Sequence, residues 1–153
     1  MRNPHKSTGW VVSATDETVR FAGTCFAFRS PRLLLTAAHC VHGQGLDNVS
    51  VTASREQIQR GHQVVRIEVH PVADVAALWI ERGADFDPFS GVSRGLDWGE
   101  EVAAFGYPED TLRGDVLPTP RYFRGHVQRL FWHCSHLLYA YSAAELSFPA
   151  PGD

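Results

Sequence analysis

Apolar residues in this chain recur in short runs, most of them alternating with polar ones, and nowhere at a convincing helical spacing. Gly9 to Ala14 and Val19 to Arg29 read as two strands around the polar turn Thr15-Asp16-Glu17, a hairpin rich in β-branched and aromatic residues. Ser30-Pro31-Arg32 reads as a turn into Leu33 to Val41, LLLTAAHCV. Its three leucines predict a buried strand, and the small residues from Thr36 to Cys40 predict a short helical turn at the strand's end. Beyond the loop HGQGLDN, Val49 to Thr52 and Gln63 to Val69 read as strands joined by a polar connection from Ala53 to Gly61. His70-Pro71 ends the second of these, because proline has no N–H to give a ladder. Val75 to Ile80 is one more short apolar strand. Strands of this length, spaced by turn signals, predict a small closed β-barrel over residues 1–82.

The pattern then changes. Residues 83–99 are rich in Gly, Asp, Ser and Pro and lack periodicity, so they read as a connection between two lobes. Gly91 to Gly95 has the formal G-x-S-x-G spacing of a nucleophile elbow, but that motif needs a strand before it and a helix after it. Asp-Pro-Phe precedes it and Gly-Leu-Asp-Trp-Gly follows, so a loop is expected. Glu100 to Phe105, Arg121 to Phe131 and His136 to Tyr141 read as three strands of a second lobe over residues 100–153, with an exposed loop from Pro108 to Pro120.

Composition narrows the function classes. A hydrophobic fraction of 44% in 153 residues is ample for a packed core. A net charge of −3, with no run of like charges, gives no reason to expect a nucleic-acid or membrane partner. The first residues, MRNPHKSTGWVV, hold no apolar run of signal-peptide length, so the chain as written is expected in the cytoplasm, and outside it only if a leader was removed.

Two residues carry the candidate chemistry. His39, at a strand end, is either a hydrogen-bonded structural histidine or a general base, since an imidazole takes and returns protons near neutral pH. Asp74 is either a turn cap or the partner of a charged group, because a carboxylate beside an apolar strand is costly to bury alone. His133, Cys134 and His136 form an H-C-x-H cluster. Neighbours in a strand point to opposite faces, and a fourth ligand would have to come from far away, so no metal site is expected.

TAAHC, Thr36 to Cys40, followed by HPVADVAAL, His70 to Leu78, resembles the chymotrypsin/trypsin-like serine proteases. Gly106-Tyr107-Pro108 is similar to a segment of their bacterial members. The resemblance implies an all-β, chymotrypsin-like double β-barrel with the second barrel incomplete. It implies His39 as general base and Asp74 as the carboxylate that holds its tautomer. Gly152-Asp153 matches the pair directly before the nucleophilic serine, with Gly152 supplying one oxyanion-hole N–H and Phe148 at the base of the primary specificity pocket. An apolar residue there implies a small or shallow pocket, not a Lys or Arg preference. Asp153 matches the residue that pairs with a new N-terminus in activated animal members. Gly9-Trp10-Val11-Val12 is not an activation site of that kind, so such control is not expected.

The family also implies a bridge between the cysteine after the catalytic histidine and one upstream. Cys40 holds the first position, and Cys25 lies two residues past the second, so the pair is either bridged or present as two reduced thiols. No cofactor is implied. The expected function is that of a serine endopeptidase acting on polypeptides, here ending before its nucleophile, inactive alone and completed by a C-terminal fragment. The alternative is a non-catalytic relative that binds or regulates.

Overall fold

The computed structural model describes residues 3–14, 18–53, 61–82, 86–91, 97–107, 120–136 and 139–147, with side chains described only as far as residue 128. Among these, the strands are β1 (Thr8–Ala14), β2 (Val19–Phe28), β3 (Ser30–Thr36), β4 (Val49–Ala53), β5 (His62–Val69), β6 (Ala76–Ile80), β7 (Glu101–Gly106), β8 (Arg121–His136) and β9 (Tyr139–Ser147). The first six close into a barrel in the order β1-β2-β3-β6-β5-β4, and the last three form a sheet in sequence order. The chain divides into two compact units, Met1–Val92 with Gly106–Pro120, and Ser93–Phe105 with Arg121–Asp153.

Closure of the barrel rests on β1, which pairs antiparallel with β2 along one edge and with β4 along the other. Alternation then sorts the side chains. On β6, Ala76, Leu78 and Ile80 are buried while Ala77 and Trp79 are only partly so, and on β4, Val49, Val51 and Ala53 point inward. These residues pack with Val11, Cys25, Ala27, Leu34, Val64 and Phe86 as one core. Burial of each Leu, Ile, Val or Phe contributes about 1.5–3 kcal/mol. The outer face of β1 is buried as well. Trp10 and Val12 are covered by Tyr107, whose ring meets the Trp10 ring edge-on at 5.1 Å and whose N–H donates to Thr24 Oγ1 at 2.9 Å. Gly9 to Val12 thus lies inside a doubly paired strand.

Two elements differ from the pattern in the sequence. Ser30-Pro31-Arg32 is the start of β3 rather than a turn, because the chain reverses at Arg29, which takes a left-handed φ of 60°. An irregularity between Ala27 and Phe28 leaves Pro31 outside the Cα pairing, and its missing N–H costs the ladder nothing. The strand expected to end at Phe131 runs on to His136, and its partner starts at Tyr139 rather than His136. Two register shifts, between Val127 and Arg129 and between His133 and His136, break the alternation that would mark these strands as one long hairpin. Phe86, inside the expected connection, is a core residue, and Phe89 forms a parallel bridge to Phe28.

Gly23 has no room for a side chain, since a Cβ there would collide with Cys40 Sγ. Gly23→Ala should destabilise the chain by ~1–3 kcal/mol, the usual cost of overpacking. Adding Cys40→Ala should return most of that loss, as read from urea midpoints of the two single variants and the double. A Gly23→Ala chain as stable as its parent would remove the packing role given to Cys40.

Candidate active site

The β3–β6 ladder sets Leu33 opposite Trp79 and Thr36 opposite Ala76. The chain leaving β3 and the chain entering β6 therefore emerge at the same end of the barrel. His39 stands just past Thr36, in the 3₁₀ turn Ala38–Cys40, and Asp74 just before Ala76, in the bend after β5.

They are hydrogen-bonded twice. Asp74 Oδ1 accepts from the His39 backbone N–H at 2.9 Å, and Oδ2 lies 2.6 Å from His39 Nδ1. A carboxylate can only accept, so Nδ1 carries the proton and Nε2 is left as the basic nitrogen. The two readings of Asp74, turn cap and partner of a second group, are here one arrangement: one oxygen caps the 3₁₀ turn while the other holds the imidazole. The pair is not held by burial, for its side chains are 73% and 56% exposed. The His39 backbone N–H first, and then the His39 side chain, favour the ionised carboxylate and hold Asp74 below the ordinary aspartate range.

The turn that carries Asp74 is organised by a residue that the sequence marks only as a strand end. His70 Nδ1 accepts from the N–H groups of Val72 at 3.1 Å and Ala73 at 2.8 Å. The His70 N–H donates to Val75 O at 2.8 Å, and the Val75 N–H to Ala73 O at 2.7 Å. The overlooked signal is the likeness of His-Pro to Asn-Pro and Asp-Pro, which start turns in the same way.

Cys25 and Cys40 are present as two free thiols, with no bridge between them. Cys40 Sγ packs against Gly23, the position two residues before Cys25 on the same face of β2. Burial raises both thiols above their ordinary value, and the Asp74 charge adds to the effect at Cys40. His42 and His126 are exposed. Phe148, Gly152 and Asp153 lie outside the described residues, as does most of the G-x-S-x-G stretch. For His133, Cys134 and His136 only the backbone, on β8, is described. Among the described residues no group of His, Cys, Asp and Glu could hold a metal ion, and no helix is long and apolar enough to cross a membrane.

Residues 23–131 match the family model of the trypsin-like peptidase domain. No curated protein sequence matches the chain. Among solved structures, the Rv3671c protease of M. tuberculosis in its active form is 18% identical, with a TM-score of 0.66 over 95% of this chain and 59% of that one. Its inactive form gives 18% and 0.68 over 95% and 66%. Granzyme C (GrC) gives 21% and 0.63 over 84% and 63%. At these identities the likeness shows a shared fold, and the chain spans less than two thirds of each of these structures.

The Asp74 carboxyl should titrate below the ordinary value of about 3.9 when followed by carbon NMR. Its folded value lies below its unfolded one. The pair's contribution to stability is therefore present above the ordinary carboxylate range and lost as pH falls through the lowered value. Both side chains are exposed, so that contribution is small and weakens with salt. A titration midpoint for Asp74 at or above the ordinary value would contradict the geometry.

Proposed function

The chain belongs to the trypsin-like peptidase domain family, and we propose that it is the part of a serine endopeptidase that supplies the general base, His39, and its orienting acid, Asp74. The observation that carries this reading is the 2.6 Å contact between His39 Nδ1 and Asp74 Oδ2, made by a carboxylate that also holds the backbone of the same histidine. By the resemblance, the nucleophilic serine follows Gly152-Asp153. His39 Nε2 takes the proton of that hydroxyl as its oxygen attacks the scissile carbonyl carbon. Asp74 stabilises the imidazolium, and the proton then passes to the leaving amine. Water, activated by the same nitrogen, releases the acyl group. The Gly152 N–H is assigned to the oxyanion hole, where a fixed donor favours the charge that develops on the carbonyl oxygen.

Under this reading the 153-residue chain alone does not turn over peptides, while the protein extended past Asp153, or the chain supplied with that segment in trans, does. In the extended protein, Asp74→Asn should lower kcat by roughly 10⁴-fold, the loss usual when this carboxylate of a triad is replaced. His39→Ala should cost about 10⁶-fold. Both are read by single-turnover kinetics and by labelling with a fluorophosphonate. Undiminished hydrolysis by Asp74→Asn would sink the assignment. Peptide binding with no hydrolysis in the extended parent would assign the chain to the non-catalytic binding module instead.

With Phe148 at the base of the primary pocket, cleavage should follow small or modest apolar residues. A peptide library digested by the extended protein reads this directly, and strong cleavage after Lys or Arg would remove Phe148 from the pocket.

A further inference from the structure

We propose that His70 is the positioning residue of this site: as a turn-forming acceptor it fixes the segment that presents Asp74, and through Asp74 it fixes the tautomer of His39. Its meaning for catalysis rests on the reading of His39 and Asp74 as base and orienting acid, whereas the positioning stands on the geometry of the turn.

β5 ends at Val69 and β6 begins at Ala76, so the whole connection is His70 to Val75. Pro71 has no N–H, and the first donors inside the turn are those of Val72 and Ala73. Both reach the same atom, His70 Nδ1. This nitrogen stands three bonds from Cα, as does the Oδ1 of Asn or Asp, so the imidazole stands in for the side chain of an Asx turn. Residue 74 is then flanked by two residues tied to His70. The Ala73 N–H is bonded to the His70 side chain, and the Val75 carbonyl accepts from the His70 backbone N–H. The Asp74 main chain is thereby fixed on both sides before its carboxylate reaches His39.

An acceptor must be unprotonated. His70 therefore carries its proton on Nε2, while His39, facing a carboxylate, carries its own on Nδ1. The two histidines hold opposite tautomers, and each is dictated by its partner. Alanine at position 70 offers the turn no acceptor, whereas asparagine offers Oδ1 at the same reach.

Nitrogen NMR of the imidazoles in the 153-residue chain tests this without any activity. In the parent, His39 should show the Nδ1–H pattern and His70 the Nε2–H pattern. His70→Ala should turn His39 into a tautomer mixture and let the Asp74 titration rise toward the ordinary value. The amide signals of the core residues Val51 and Leu78 should stay in place. His70→Asn should restore both signatures. In the extended protein, His70→Ala should lower kcat by about 10- to 100-fold at nearly constant KM, the scale of a small misplacement of a reacting group, and His70→Asn should recover most of it. Three results would each overturn the proposal: an Nδ1–H pattern at His70 in the parent, an unchanged His39 in His70→Ala, or a lost His39 signature in a folded His70→Asn chain. Failure of the peptidase reading is separate, since Asp74→Asn with unchanged turnover leaves the tautomer results as they are.

Discussion

Closure of the first sheet on itself is the constraint on which the rest of this structure depends. β1 lends both edges, one to β2 and one to β4, and in the ring so formed each of the six strands is paired with a neighbour on both sides. Only inside a closed ring do Val11, Leu34, Val51, Leu78 and Ile80 leave water together. The same ring fixes which strand ends are neighbours. β3 and β6, distant in sequence, become adjacent, and the register that sets Thr36 opposite Ala76 brings the segment after one strand against the segment before the other. His39 and Asp74 meet because the barrel closes in this order.

At the site, orientation comes from the backbone rather than from burial. In a dry interior a lone carboxylate would be driven to find a partner by its desolvation cost. Asp74 is too exposed for that, and its placement depends on directional bonds at both ends, to the 3₁₀ turn of His39 and, through Ala73 and Val75, to His70. Such bonds cost little to form but also little to break, so each of them matters to the population of the paired state. Packing secures the far side of the His39 turn, where the Cys40 sulfur fills the space that a glycine leaves open on β2.

Much of this was legible in the sequence, for physical reasons that also mark where legibility stopped. The six barrel strands could be read because their inward faces alternate cleanly, as in Ala76, Leu78 and Ile80, and because Gly, Pro, Asp and Asn punctuate them. His39 and Asp74 stood out because TAAHC and HPVADVAAL resemble the segments that carry a histidine and an aspartate in the chymotrypsin/trypsin-like serine proteases. The reversal at Arg29 was hidden, since a left-handed φ is expected of Gly, Asn or Asp and not of arginine. Pro31 drew the turn to itself instead. The length of β8 was hidden by its register shifts, which swap the faces of the strand and erase period two. Phe86 could not be read as core because its neighbours carry no periodicity.

The role of His70 was hidden for a different reason, and it bears on how such sites are built. Periodicity reports where side chains point, whereas a turn acceptor acts on its own backbone within a few residues and leaves no periodic trace. The informative features are local: a side chain with an acceptor three bonds from Cα, a proline next to it, and donors two and three residues on. Histidine meets the first condition only in one tautomer, which is why it is easily passed over where asparagine would be noticed. All three residues of this arrangement, His39, His70 and Asp74, belong to the barrel unit. The geometry of the His39–Asp74 pair is therefore set within that unit, by one ladder register and one six-residue turn.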